Sequence, residues 1–433
     1  MLLNHNFGWG DPGSTTRFTG VPDGCDALLL ADLLGQATQP LLHVSSDDLG
    51  MNRLAESVAF FAPDTRILKF PAWDCLPYDR VPPRAELVAE RMATLGALAQ
   101  GAGDSAERDS PLLILTTVAA ILQRVPPRAR IRETHIELAP GRTVDFSIVM
   151  AFLAANGFHR TETVREPGEF ASRGDIIDLF PPGYPEPVRI DLFGDEIEGL
   201  RRFDPLSQMT TQSLDRLTLL PASEILLDEA AIARFRSSYR TRFGAVRGDD
   251  PLYEAVSEGV RHPGMEHWLP LFYEGPETLF DYVDGPVILG AQTPDAMTDR
   301  FDQITDYFSA RANAPDRAEG EAPYNPLPPD ALYLGPDEWE DVRQRRTAID
   351  FDVFETPVSG ADSNSIGGRR AIDFAEARSR ADTNLFDAVR TRIVNEQGEG
   401  QAIAIACYSN GSRDRLTQLL IDHDVDRATP VSN

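Results

Sequence analysis

Short, almost wholly apolar runs alternate with longer stretches of helical spacing through the first 130 residues. Leu41–Ser45 (LLHVS) and Leu112–Thr116 (LLILT) are too short for helices and too apolar for half-exposed strands, and Thr65–Phe70 (TRILKF) is a further short strand between them. Cys25–Leu34, Asp47–Phe61, Glu86–Ala99 and Val118–Arg124 carry apolar residues at the three- and four-residue spacing of amphipathic helices. Buried strands alternating with such helices predict a parallel sheet covered on both faces.

At Ile131 the pattern changes. Ile131–Leu138 alternates as a strand, Phe146–Ala155 has helical spacing, and Asp175–Phe180, Pro187–Phe193 and Glu196–Phe203 follow as strands between Gly and Pro turns, with Leu214–Leu220 leading out. One helix followed by consecutive strands predicts a small α+β domain. From Glu224 to Phe354 the pattern is mostly helical, with strands expected at Pro286–Leu289 and Ala331–Leu334 and a surface loop over Ala312–Pro329. Ser359–Arg369 has the composition of a flexible linker. Beyond it, Ala371–Val394 predicts a helix, Ala402–Tyr408 (AIAIACY) a strand and Ser412–Ile421 a helix. That is the start of another α/β unit with too little sheet for a core of normal size, so the sequence is expected to be cut short. The expected division is an α/β domain over residues 1–130, an inserted α+β domain over 131–220, a mostly helical companion over 221–355, a linker over 356–370 and a partial α/β domain over 371–433.

Composition narrows the function classes. With 42% hydrophobic and 25% charged residues, the chain has the balance of a folded protein rather than a disordered one. Its longest apolar stretches, such as Leu112–Leu115 with Val118–Leu122, are too short to span a bilayer, and Met1–Gly10 does not read as a signal peptide, so a cytoplasmic location without a membrane partner is expected. Cys25, Cys75 and Cys407 are scattered, which fits free thiols, and no Cys or His pair has zinc-ligand spacing. A net charge of -27 repels nucleic-acid phosphate on average. Lys69 is the single lysine among 41 basic residues, so nearly every cation here is able to make two-pronged contacts with carboxylates.

Three places invite chemistry. The loop Gly20–Asp26 (GVPDGCD) precedes the first helix, where a phosphate-binding loop would sit. It lacks the Lys and the Ser or Thr that such a loop needs, and Asp23 and Asp26 put negative charge in its place. Nucleotide binding there is not expected. Asp178, Asp191, Asp195 and Glu196 could form a paired-carboxylate site, but Arg173, Arg189, Arg201 and Arg202 lie among them, and cross-strand ion pairing on a sheet surface is the expected arrangement. Cys75 sits in a Pro-rich turn with no His nearby in sequence, and no Ser–His–Asp or Cys–His set suggests itself. The third place is a surface. Alternation along Pro187–Phe193 turns Val188, Ile190 and Leu192 to the core and Arg189 and Phe193 to the opposite face, with Arg173 arriving from the chain before the preceding strand. An exposed Phe flanked by arginines has the make-up of an interface hot spot. The competing expectation folds Phe193 into a second small cluster.

Several stretches together resemble the amino-terminal region of the transcription-repair coupling factors and, through it, the excision protein UvrB. They are PAWDCLPYDRVPP from Pro71 with AERMATL after it, EFASRGDIIDLFP (Glu169–Pro181), RIDLFGDEIEGLRRF (Arg189–Phe203) running into DPLSQ, LLPASE (Leu219–Glu224) and GMEHWLPLF (Gly264–Phe272). The resemblance runs over nearly the whole chain. It implies a helicase-like α/β domain without an ATP site, an inserted domain that binds the repair protein UvrA, a helical companion and a small further domain. Carried over by position, Arg173, Arg189 and Phe193 would be UvrA contacts. The stretch after Trp73 is too short and too poor in aromatics for UvrB's DNA-clamping hairpin. The family's RNA-polymerase-binding domain and its ATP- and magnesium-dependent double-stranded DNA translocase would lie after Asn433, so no cofactor and no catalysis are expected of these residues. In the intact protein the segment would pack against the motor and keep its UvrA surface masked. The alternatives are a UvrB-type ATPase subunit of the excision nuclease, or a free-standing adaptor without a motor.

Overall fold

The computed structural model describes residues 9–102, 110–246, 250–313, 324–354, 363–369, 374–379, 384–425 and 428–431. The chain divides into two compact units, residues 1–368 and 369–433.

The first unit is built on a seven-stranded parallel sheet. Its strands are β1 (Thr15–Thr19), β2 (Leu41–Ser45), β3 (Arg66–Phe70), β4 (Leu112–Thr117), β13 (Val287–Leu289), β14 (Ala348–Phe351) and β15 (Ser363–Ser365), in the order β15-β1-β14-β13-β2-β4-β3. Successive residues of the central strands feed different cores. Leu42, Val44, Leu112, Ile114, Val287 and Leu289 join one cluster, while Leu41, Leu113, Leu115 and Ile288 join the other. A strand buried on both faces has no use for polar alternation, which is why apolar residues stand at successive positions in these runs.

Four expectations are corrected here. The mostly helical segment after residue 221 is not a separate companion. It supplies β13 and β14 to the central sheet, and Phe235, Trp268, Tyr333 and Trp339 share a core cluster with Leu42 and Ile114. Strands of three and four residues inserted between partners far away in sequence give no local sign of sheet membership. Ile131 lies in a helix, Arg128–Glu133, that buries it in the larger core cluster, and the strand contracts to β5 (Ile136–Leu138). Ala331–Leu334 is entered by the short helix Pro329–Leu332, with Pro at its first turn where the missing N–H costs nothing. Within the expected linker, Ser363–Ser365 pairs with β1 as an edge strand, and residues 356–362 and 370 of that stretch lie outside the described residues.

The inserted region carries a six-stranded sheet of β6 (His159–Arg160), β7 (Glu169–Arg173), β8 (Ile176–Leu179), β9 (Val188–Phe193), β10 (Glu196–Phe203) and β11 (Thr210–Ser213), in the order β11-β10-β9-β8-β7-β6. Only β6 and β7 run parallel. A two-stranded ladder of β5 and β12 (Leu217–Leu219) closes its base. The helix Phe146–Ala155 starts where the Asp145 side chain accepts the Ser147 N–H, and it buries Val149 and Leu153 against Ile177, Val188, Ile190 and Leu192.

The return of the chain to the larger sheet is bolted down. Arg91 and Glu224, both fully buried, form a two-pronged pair (Nε–Oε1 2.6 Å, Nη2–Oε2 3.0 Å). The Trp73 indole N–H also donates to Glu224 at 3.0 Å, and the Arg91 guanidinium lies 4.0 Å from the Phe70 ring centroid. Arg261 donates to the Ser223 hydroxyl and to the Ala155 and Ile225 carbonyls, tying the helix of the inserted region to its exit strand.

In the second unit the described helices are Ala375–Ser379, Leu385–Gly398 and Asn410–Asp422. Phe386 stacks on His423 at 4.4 Å, and Ser409 caps the last helix. The strand expected at Ala402–Tyr408 is absent. Ile403 and Ile405 are exposed, and the unit's described residues offer no neighbouring strand for the ladder hydrogen bonds that would hold one there.

Candidate protein-binding surface

The inserted sheet has one buried face and one open face. On β9 the burial alternates: Val188, Ile190 and Leu192 are buried, while Arg189, Asp191 and Phe193 face outward. Register extends this into rows. Ala171, Asp178, Arg189 and Arg201 lie side by side across β7, β8, β9 and β10, and Arg173, Ile176, Asp191 and Gly199 form the next row. Phe193 and Glu196 make the last row beside the turn.

Arg189 is an anchored cation rather than a loose one. Its Nε and Nη2 donate to the two carboxylate oxygens of Asp178 at 2.7 and 2.9 Å, and its guanidinium carbon lies 5.0 Å from the Phe203 ring centroid. The hydrogen bonds it donates to Asp178 raise the Arg189 pKa further, so the group carries its charge throughout the accessible range. Among the described residues Nη1 donates to no side chain or carbonyl. Beside it, Arg201 reaches Asp191 at 3.3 Å. Asp178 and Asp191 therefore serve as cross-strand ion-pair partners, as the interleaved charges suggested.

Phe193 is 79% exposed. A second small cluster does exist on this face, made of Val164, Ala171, Phe180 and Phe203, but Phe193 stays out of it. Gly194 follows at φ +60° with nothing near where a Cβ would stand, and the tight turn it opens leaves the ring at the end of β9. Gly174 takes the same φ in the β7–β8 turn beside Arg173, at the same end of the sheet. Arg173 donates to the Glu162 carbonyl and lines an open depression of about 340 Å³ with Arg160, Thr161, Glu162, Ala171 and Ser172. From strand spacings, Arg173, Arg189 and Phe193 span roughly 15 Å of one face. The sequence pattern placed all three on it. It did not reveal Phe203 as the platform under Arg189, because that contact depends on the register between β9 and β10.

The other two places behave differently. In the loop before the first helix, Asp26 Oδ1 accepts the backbone N–H groups of Gly24 and Ala27 at 2.9 and 2.8 Å. A carboxylate of the protein thus takes the donors a phosphate would need. Burial raises the Asp26 pKa despite these hydrogen bonds. Gly368 crosses directly over the loop, donating to the Gly20 carbonyl at 3.0 Å; a Cβ there would come within 2.5 Å of that oxygen and 2.9 Å of Cys25 Sγ. Cys75 does have a histidine beside it, contrary to expectation: His267 Nε2 lies 3.9 Å from its Sγ, brought there from 192 residues away. Burial pushes the Cys75 thiol up to about 12, with Glu266 and Asp74 adding to it, and pushes the His267 imidazole down to about 4. Both groups are neutral, the opposite of an activated thiolate–imidazolium pair. Among the described residues no cluster of His, Cys, Asp or Glu could hold a metal ion, and no helix is long and apolar enough to cross a membrane.

Comparison with known proteins agrees with this geometry. A family model described as the UvrB interaction domain matches residues 136–225, the span of the inserted sheet. The transcription-repair-coupling factor of Escherichia coli (strain K12) is 30% identical over 397 residues, covering 91% of this chain and 33% of that protein. The one from Myxococcus xanthus is 31% identical over 439 residues, covering 95% and 35%, and the one from Rickettsia bellii is 32% identical over 300 residues, covering 68% and 26%. The chain spans about a third of the length of these curated relatives. Together with the inserted sheet and its open face, these matches place the chain with the amino-terminal region of the transcription-repair coupling factors.

Proposed function

We propose that this chain is the UvrA-recruiting module of a transcription-repair coupling factor, acting in transcription-coupled nucleotide excision repair in the cytoplasm. The observation that carries this reading is the open face of the inserted sheet, where an anchored guanidinium, Arg189, and an exposed ring, Phe193, stand with Arg173 on one side of a well-packed scaffold. Rigid Arg and aromatic groups are what interface hot spots are made of, because little ordering entropy is lost when they dock. RNA polymerase and double-stranded DNA would be partners of the remaining two thirds of such a protein, as would ATP and magnesium. In that longer protein the same face would be masked against the motor until it is needed. For these residues the reading is recruitment without catalysis or cofactor, supported by the Asp26 carboxylate on the N–H groups before the first helix.

The test is titration of UvrA against the 433-residue chain and its Arg189→Ala and Phe193→Ala variants, with circular dichroism to check the fold. Each substitution is expected to weaken binding by about 2 kcal/mol. Unchanged affinity in both would move the interface elsewhere. The UvrB-type ATPase reading predicts instead that the chain binds ATP at micromolar concentration.

A further inference from the structure

The loop joining β10 to β11, Asp204–Met209, presents Leu206 and Met209 at 82% and 70% exposure. Two large apolar side chains on a surface turn are unremarkable when the turn is loose. This one is held from several directions. Asp204 Oδ1 accepts both the N–H and the hydroxyl of Ser207 at 2.7 Å, and the Asp204 N–H donates to the Met209 carbonyl at 2.9 Å. Gln208 takes φ +60°, a left-handed conformation that costs energy for a residue with a side chain. Its backbone N–H donates to the Asp204 carbonyl at 2.8 Å, and its side-chain amide donates to the Pro205 and Val164 carbonyls at 2.8 and 3.1 Å.

Those contacts tie the loop to the open face. Val164 belongs to the cluster of Ala171, Phe180 and Phe203 on that face, and Phe203 is both the platform for Arg189 and the residue immediately before the loop. Phe193 pairs with Glu196 at the start of β10, and the loop begins where β10 ends. At the rise of an antiparallel strand, seven residues separate the two by roughly 24 Å. A standard interface of about 800 Å² per partner is roughly 30 Å across. A standard footprint centred on Arg189 and Phe203, between Phe193 and the loop, covers both ends.

We infer that Leu206 and Met209 form a second, apolar anchor for the same partner that docks on Arg173, Arg189 and Phe193, and that Asp204 and Gln208 are positioning residues that hold the anchor in its bound shape. The inference rests on the recruitment reading above. The partner's complementary feature is an apolar pocket at the far edge of its contact surface, away from the groups that meet Phe193.

The experiment is UvrA titration of the full 433-residue chain carrying Leu206→Ala with Met209→Ala, beside Phe193→Ala and Gln208→Gly. Both anchor side chains are exposed, so the double variant is expected to fold as the parent does, checked by thermal unfolding. The expected result is at least tenfold weaker binding for the double variant. For Gln208→Gly, which keeps the backbone conformation and loses the clamp, a smaller weakening is expected together with faster hydrogen exchange in residues 205–209. Parent-like binding of the double variant, with Phe193→Ala impaired, overturns the second anchor and leaves the recruitment reading standing. Parent-like binding of both variants overturns the two together.

Discussion

The two large sheets of the first unit are made from the same alphabet of short strands, yet one has both faces covered and the other only one. Every residue of β2 is buried, and its neighbours in sequence feed cores on opposite sides. On β9, burial alternates residue by residue and ends on an exposed ring. A sheet covered on both sides leaves function only to the loops at its strand ends, and here the loop before the first helix is filled by Asp26. The second face of the inserted sheet is covered only in part, by the small cluster of Val164, Ala171, Phe180 and Phe203, and offers the rest to a partner. The difference between scaffold and recognition surface is written in the period of two.

Four measurements would break or sharpen that contrast. The largest effect is expected at the buried pair joining the two sheets. Glu224→Ala strands the Arg91 charge and the Trp73 N–H inside the protein, which is expected to cost about 3–5 kcal/mol in urea unfolding. A cost under 1 kcal/mol would mean that the pair is not the rigid joint described here.

Next come two substitutions three residues apart on one strand. Ile190→Ala opens a cavity on the inner face and is expected to lose about 2–4 kcal/mol of stability. Phe193→Ala, on the outer face, is expected to change stability by less than about 0.5 kcal/mol while reducing UvrA binding. Equal destabilisation by both would erase the distinction between the faces.

Asp178→Asn keeps the shape of the Arg189 partner and removes its charge. The pair is partly exposed, so a loss of only about 1 kcal/mol in unfolding is expected, accompanied by weaker UvrA binding as the guanidinium loses its fixed orientation. Stability unchanged with binding reduced would isolate the positioning effect most cleanly.

The smallest effect is a pH dependence near the joint. Burial raises the Glu266 pKa to about 7 from an ordinary 4.5, so the folded state holds a proton that the unfolded state releases, and stability falls as pH rises through that interval. His267 and His43 are pushed down to about 4 and about 3, so they act in the opposite direction, adding stability as pH rises towards 6.5. Between pH 6.5 and 8 the unfolded-state imidazoles still shed the remaining half of their protons, an opposing change of similar size, so the Glu266 contribution is read as the difference between parent and variant. Glu266→Gln is expected to remove a decline on the order of 1 kcal/mol between pH 6.5 and 8. An identical slope in the variant would assign the decline to other groups.

What could be read from the sequence was whatever repeats locally. The limits of Cys25–Leu34, Leu41–Ser45, Phe146–Ala155 and Glu196–Phe203 follow directly from apolar spacing and from the Gly, Pro and Asp residues that bound them. Alternation also placed Arg189 and Phe193 on the outward face. Contacts across long stretches of chain were not legible. Ala348 joins Thr15, His267 meets Cys75, and Glu224 reaches Arg91 only because the sheet brings remote strands together. The matching of arginines to carboxylates on the open face was half legible: the charges announced pairing, and only strand register assigned Asp178 to Arg189 and Asp191 to Arg201. The exposed Ile403 and Ile405 are a converse case, where strand-like composition lacks the neighbour that would make it a strand.

The glycine that crosses the loop before the first helix has a consequence for access. Nucleotide-driven lobes change shape when a phosphate arrives or departs. While Asp26 holds those N–H groups and Gly368 lies against Gly20, a phosphate arriving at this loop would have to displace a carboxylate and a crossing segment of chain. The geometry of the inserted sheet, by contrast, is set by its own ladder and core, with no contact to this loop needed to hold Arg189 and Phe193 outward.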